Sequence, residues 1–241
     1  MQIKLSDLCN ITMGQSPKSI YYNKSKIGTP FMQGCTTFGR IYPSIDTWTT
    51  IYNKSADSND ILFTVRAPVG DINIALTKIA IGRGLAALKP TSVSTKYLYY
   101  LLLSNRDLFT NNSSGTVYDS INKSALENIT LNIHSKNQQL LIVDTVGSLD
   151  DKIENNNKVI IKLEELLNLK FKNIYSDALK TGITINLNDI VNLKTGKKDA
   201  NAANENGIYP FFTCSEKESN IDVYSFNQEA ILIAGNGNMS V

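Results

Sequence analysis

Side chains able to do covalent chemistry are few and scattered in this sequence. The single histidine, His134, has no second histidine and no nearby cysteine. A common metal site cannot be built around it, and a solvated or capping role is expected. The chain contains no Gly-x-Ser-x-Gly elbow and no phosphate loop ending in Gly-Lys-Ser/Thr. Gly82-Arg83-Gly84 is too short for a nucleotide-binding fingerprint, and Gly235-Asn236-Gly237 reads in the same way as loop glycines. Asp150 and Asp151 lie on adjacent faces of an expected helix, where two carboxylates do not converge, so a solvated face is expected there.

Binding chemistry is better represented. Between Gln15 and Trp48 the chain mixes Gln15, Lys18, Tyr21, Tyr22, Lys24, Lys26, Gln33, Arg40, Tyr42 and Trp48. Basic side chains contact phosphates, whereas Gln, Asn and Arg match the donor and acceptor pattern of base edges in the major groove. Arg66 and Arg83 fall at expected strand ends beside glycine turns, where a rigid scaffold can project a long side chain. The polar loop around Ser113 to Ser120, which includes Thr116, can also meet a ligand. At the level of composition, a polar surface with a few buried tyrosines remains an open alternative.

The elements that must hold these residues are mainly short strands. Ile61-Leu62-Phe63-Thr64-Val65 is a β-rich run ending in the turn Ala67-Pro68-Val69-Gly70, and Ile72-Asn73-Ile74-Ala75-Leu76 alternates as its pairing partner. Gly82 to Pro90 begins as a loop and ends as a strand. Thr95 to Leu103 reads as a helix with Ser94 or Thr95 as its N-cap, and Ser120 to Leu126 as a short helical turn. Glu127 to Ile133 alternates as a strand leading into a much longer element.

That element runs from Gln138 to Lys180, with no proline and Gly147 as its only glycine. Val146, Ile153, Ile160, Leu167 and Ile174 recur every seventh residue, with Leu149 and Leu163 three positions further on. A heptad seam sustained over roughly four repeats predicts a helix meant for a helical partner. Asn156 and Lys170 interrupt the second column, and a polar Asn in such a seam fixes register and partner number. The helix would span roughly 60 Å, the length of a spacer rather than of a core helix. The fold class expected is α+β: a mixed α/β globular domain over residues 1–137, the spacer helix over 138–180, and a further segment over 181–241.

The last segment opens as a repeat of the first. Leu5-Ser6-Asp7-Leu8 through Gly14 returns as Leu187-Asn188-Asp189-Ile190 through Gly196. Gly28-Thr29-Pro30-Phe31 returns as Gly207-Ile208-Tyr209-Pro210-Phe211, and Asp60 to Thr64 as Glu229 to Ala234. Three matches in one order predict a partial second copy, with roughly half of the domain missing after Val241.

Charge divides along the same lines. Residues 1–137 carry 14 Lys and Arg against 8 Asp and Glu, whereas residues 181–241 carry 4 against 7. A basic first domain permits a polyanionic partner. The three cysteines, Cys9, Cys35 and Cys214, form no metal-spaced pair, which predicts a reducing compartment. No apolar run reaches membrane-spanning length and the N-terminus lacks a signal-peptide core, so a cytoplasmic protein is expected.

Taken in order, these motifs resemble the specificity subunit of type I restriction–modification enzymes. The likeness is carried by Leu5-Ser6-Asp7-Leu8 with Gly14, by Asp60-Ile61-Leu62-Phe63-Thr64-Val65-Arg66-Ala67-Pro68-Val69-Gly70, and by Gly84 to Pro90. It continues through Tyr97-Leu98-Tyr99-Tyr100-Leu101-Leu102, Gly115-Thr116, and Gln138-Gln139 up to Leu149-Asp150-Asp151-Lys152-Ile153-Glu154. The resemblance implies target recognition domains that each read half of a split sequence in double-stranded DNA, held apart by a coiled-coil ruler. It implies no chemistry and no cofactor in this chain; S-adenosylmethionine would sit on partner modification subunits, with restriction subunits joining them. The expected DNA contacts are Gln15, Lys18, Tyr21, Lys24, Lys26, Gln33, Arg40, Arg66, Arg83 and Thr116. The expected partner seam is Val146, Leu149, Ile153, Asn156, Ile160, Leu163, Leu167 and Ile174, and a homodimer through the long helix is the preferred way to cover it. Two other function classes compete. One is a coiled-coil interaction module without DNA specificity. The other, a stand-alone methyltransferase, is disfavoured by the lack of an Asn/Asp-Pro-Pro-aromatic tetrapeptide and a glycine-rich cofactor loop.

Overall fold

The computed structural model describes residues 2–110, 120–215 and 217–234. Thr116, residues 113–119 of the expected polar loop and Gly235-Asn236-Gly237 lie outside them. The chain divides into two units, residues 1–166 and residues 167–241.

The first unit opens with β1 (Gln2–Lys4), the one-turn helix α1 (Leu5–Leu8) and β2 (Cys9–Met13). Eight short strands follow: β3 (Tyr22–Asn23), β4 (Thr29–Met32), β5 (Trp48–Thr49), β6 (Ser55–Ala56), β7 (Ile61–Thr64), β8 (Ile72–Ile74), β9 (Ile79–Ile81) and β10 (Leu85–Pro90). Then come α2 (Thr95–Ser104), α3 (Asp107–Thr110), α4 (Lys123–Glu127), β11 (Thr130–Asn132) and the long α5 (Lys136–Thr181). One sheet has the order β2-β10-β7-β8 and is antiparallel throughout. A second has the order β3-β5-β4-β9-β6, with β4 and β9 parallel, and β1 pairs with β11 in a two-stranded third.

The central strands of the first sheet, β7 and β10, are buried on both faces over Ile61–Thr64 and Leu85–Leu88, which explains why they read as largely apolar runs. In β7, Ile61 and Phe63 join a core with Leu98, Leu102 and Phe109 of α2 and α3. Leu62, between them, turns the other way and joins Met32, Ile79 and Ile81 of the second sheet. β10 divides identically: Ala86 and Leu88 go to the helical side, Leu85 and Ala87 to the sheet side. The period of two thus places one layer of helices and one layer of sheet against the same strands. Phe63 and Phe109 lock the helical side with an edge-to-face contact at 5.0 Å.

Local signals set the helix boundaries. Ser94 caps α2 by accepting the Tyr97 N–H. α5 starts at Lys136, two residues before the expected Gln138. Ser135-x-x-Gln138 is the reason: the Gln138 Oε1 accepts the Ser135 N–H at 3.0 Å, the back-bond of a capping box. α5 is one uninterrupted helix of 46 residues, about 70 Å long. Of its residues only Gly147 and Asp150 are buried. That corrects the expectation of a solvated face at Asp150. The carboxylate accepts the Arg40 guanidinium at one oxygen and the Tyr100 hydroxyl, at 2.6 Å, at the other. Asp151 is exposed as expected but salt-bridged, accepting Lys96 Nζ at 2.7 Å. The seam residues lie open, with Leu163 58%, Leu167 68% and Ile174 70% exposed.

In the second unit, the turn Leu187–Asp189 is closed by a capping box between Asn186 and Asp189. β12 (Tyr209–Phe211) pairs antiparallel with β13 (Ser219–Ile221). The turn and β12 stand at the sequence positions matching α1 and β4. Residues 229–234, matched by sequence to β7, form no strand. A strand persists only with a ladder partner, and none among the described residues pairs with them. No helix among the described residues is long and apolar enough to cross a membrane.

Candidate nucleic-acid interface

Three chain crossings bring the sequence-predicted readers together. The end of β2, the end of β4 and the turn from β9 to β10 meet at one end of the two sheets. Gly14 donates its N–H to the Leu85 carbonyl at 2.8 Å, Gly82 to Met32 at 2.8 Å and Gly84 to Gln33 at 3.1 Å. These approaches exclude side chains: a Cβ on Gly84 would lie 2.5 Å from the Gln33 carbonyl oxygen, and one on Gly14 would overlap the Gly82 carbonyl. β7 ends in the same place, because Val65 donates its N–H to the Gly84 carbonyl at 2.9 Å.

Gln15, Gln33, Arg66 and Arg83 each follow one of these crossings and are exposed. Ser16 joins two of them. Its hydroxyl donates to Gln33 Oε1 at 2.8 Å and accepts the Arg83 N–H at 3.0 Å. Ser16 uses one lone pair of the Gln33 oxygen, so the amide keeps its nitrogen to donate and a second lone pair to accept. Behind this group Tyr22 stacks on Phe31 with ring centroids 4.5 Å apart and donates its hydroxyl to the Pro17 carbonyl at 2.9 Å. Partial burial pushes the Tyr22 phenol up, and the positive charge of Arg83 pulls it part of the way back.

Of the remaining candidates, Lys18, Tyr21, Lys24 and Lys26 lie on the excursion from the 3₁₀ turn Ser19–Tyr21 through β3 to β4, with the three lysines exposed. Asn23 folds the turn there by accepting the N–H groups of Ser25 and Ile27, each at 3.1 Å. Among the described residues, no ion pair involves Lys18, Lys24, Lys26, Arg66 or Arg83. Arg40 stands apart: its guanidinium is committed to Asp150 and its carbonyl accepts the Tyr99 hydroxyl at 2.9 Å. Sequence reasoning missed Ser16, whose only local signal is its place directly after Gln15. A concavity of about 330 Å³ lined by Arg40, Asp71, Tyr99 and Arg106 lies elsewhere, with both arginines neutralised by Asp150 and Asp71. Among the described residues, no cluster of His, Cys, Asp and Glu is arranged to hold a metal ion.

Residues 1–165 match the family model of the type I restriction modification DNA specificity domain. The chain belongs to this family. It is 41% identical over 146 residues to the MjaX specificity subunit of Methanocaldococcus jannaschii, covering 60% of this chain and 34% of that one. The HsdS subunit of Thermoanaerobacter tengcongensis superposes with a TM-score of 0.55 at 33% identity, over 64% of this chain and 38% of that one. The type I restriction–modification S subunit of M. genitalium matches 99% of this chain and 66% of its own, with a TM-score of 0.57 at 19% identity, a likeness of fold. This specificity-domain chain spans about a third of the length of the M. jannaschii relative.

Proposed function

We propose that this chain is a non-catalytic DNA-recognition subunit of a type I restriction–modification system, acting in the cytoplasm. The observation that carries it is the convergence of Gln15, Gln33, Arg66 and Arg83 at one end of the packed sheets. Arginine pairs with guanine and glutamine with adenine through two hydrogen bonds each, so such a group can select base pairs. Lys18, Lys24 and Lys26 supply phosphate contacts, which fix register without reading sequence. Residues 1–137 then form one target recognition domain, residues 138–180 the spacer and residues 181–241 the opening of a second reader. The Val146 to Ile174 seam, exposed along α5, is the surface that another helix covers in a coiled coil, and a second copy of this chain is the occupant favoured here. A rod fixes the gap between two readers as dimer geometry fixes half-site spacing in other DNA binders. Modification subunits carrying S-adenosylmethionine, and restriction subunits, dock on this frame and perform the chemistry.

The test is duplex binding in the presence of the modification subunits. Sequence-selective binding that weakens steeply with salt supports the proposal. The rival, a coiled-coil interaction module, draws on the same open seam, and it predicts neither sequence preference nor a salt slope.

A further inference from the structure

Asp150 lies on the exposed spacer helix yet is itself only 7% exposed. It takes one donor on each oxygen: the Arg40 guanidinium on Oδ1, and the Tyr100 hydroxyl at 2.6 Å on Oδ2. A buried carboxylate so paired is firmly placed, because losing Arg40 leaves its charge uncompensated and losing Tyr100 leaves an acceptor unsatisfied. Next to it Asp151 holds Lys96, the residue four before Tyr100 on α2. Arg40 is fixed from the other side as well. Tyr99 donates its hydroxyl to the Arg40 carbonyl at 2.9 Å. The neighbouring Gly39 exchanges two hydrogen bonds, each at 3.0 Å, with the buried Asn73 amide. Ile41 accepts the Ile74 N–H at 2.7 Å. The pinned residues, Gly39 to Ile41, lie in the loop that follows β4 and opens with Gln33, one of the four convergent residues.

We propose that Asp150 is a positioning residue: by binding Arg40 and Tyr100 together it sets the angle of α5 against the sheets of the first unit. It ties that angle to the loop that starts at Gln33. From Asp150 to Leu166 the helix runs about 24 Å, so a swing of about 10° moves its far end about 4 Å, near the rise of one base pair. Play at this joint blurs the spacing that a rod can measure. The consequence for DNA rests on the proposed function above; the geometry of the joint does not.

Two measurements on the full chain separate them. With Cys35→Ser and Cys214→Ser in place, nitroxides at T77C and K162C report the angle of α5 against the sheets by electron–electron distance, in excess unlabelled chain so that only intrachain pairs are read. Asp150→Ala and Arg40→Ala should each broaden the distance distribution about twofold or more, and the double variant should broaden it no further. Tyr100→Phe should broaden it less. Slow amide exchange at Phe63 and Leu88 shows that the core stays folded; if Asp150→Ala loses it, Arg40→Ala and Tyr100→Phe carry the measurement. Unchanged distributions in the folded variants overturn the joint, as does a double variant that adds the two single effects. In the second measurement, with modification subunits present, Asp150→Ala should bind sites lengthened or shortened by one base pair nearly as well as the parent site. Its affinity for a single half-site should stay within about twofold. A half-site affinity that falls in step with the two-site affinity contradicts the positioning role, and no DNA binding by the parent chain with an intact distance effect refutes the proposed function alone.

Discussion

Tyr97 clamps His134 through one oxygen: its hydroxyl accepts the His134 N–H at 3.0 Å and hydrogen-bonds the ring Nδ1 at 2.9 Å. The His134 carbonyl in turn accepts the Gln139 side-chain amide at 2.9 Å in the first turn of α5. The lone histidine is thus a fastening between α2 and the entrance of the long helix. Tyr97→Phe removes both bonds while keeping the ring in the core, and should cost about 1–2 kcal/mol. Urea denaturation should show a lower midpoint with an unchanged slope.

The convergent residues and the lysines should separate in DNA binding. Gln33→Ala and Arg83→Ala should each weaken binding to the preferred site by about 1–3 kcal/mol and relax choice at one position. Lys24→Ala and Lys26→Ala should weaken all sequences alike and make the plot of log affinity against log salt shallower by about 1 each. Titration of matched and mismatched duplexes at several salt concentrations checks both.

Two glycines should respond in opposite directions to the same substitution. Gly84→Ala forces a Cβ to 2.5 Å from the Gln33 carbonyl oxygen and should pull Gln33 and Arg83 apart, abolishing sequence preference. Gly147 is a helix-interior glycine whose added Cβ would meet only Lys96 and Tyr100 atoms at 3.6–3.8 Å, ordinary contact. Gly147→Ala should stabilise the chain by about 0.5–1 kcal/mol, read as a raised unfolding midpoint.

Cys9 gives the chain an alkaline limit. Burial beneath the core pushes its thiol from the ordinary 9.0 up to about 12. The folded state therefore binds this proton more tightly than the unfolded state does. Its contribution is fully present below pH 9.0 and is lost as pH rises towards 12, at up to about 1.4 kcal/mol per pH unit. Lysines and tyrosines titrate in the same range, so the comparison is with Cys9→Ala, whose stability should fall less between those limits. Native alkylation at pH 8 should modify the exposed Cys214 first. Cys35, pushed up by burial and by the charge of Asp71, should follow, and Cys9 should be protected.

What the sequence displayed was periodicity, and what it hid was distance along the chain. β7, β10, α2 and α5 are each announced by their own residues, because burial on one or two faces prints a period of two, an apolar run or a heptad. The start of α5 was also legible in Ser135-x-x-Gln138, two residues before the heptad-based boundary. The pairing of β4 with β9 joins Phe31 to Ala80, and no local pattern encodes it. The same holds for Arg40 and Asp150, 110 residues apart, each of which alone looks like a surface charge. Arg40 therefore stood among the expected DNA contacts although its guanidinium faces the helix. Gln15, Gln33, Arg66 and Arg83 are candidates by their chemistry; that they share one sheet end follows from Gly14, Gly82 and Gly84, whose need for close approach shows only when the strands cross.

Selection from a pool of randomised duplexes, with the modification subunits present, asks directly whether the Gln33–Arg83 end reads DNA. The parent chain should enrich a defined sequence, and the double variant Gln33→Ala/Arg83→Ala should lose that preference while keeping salt-dependent binding through Lys18, Lys24 and Lys26. Enrichment of the same sequence by both chains, or of none by the parent, would contradict the assignment of these residues as the readers.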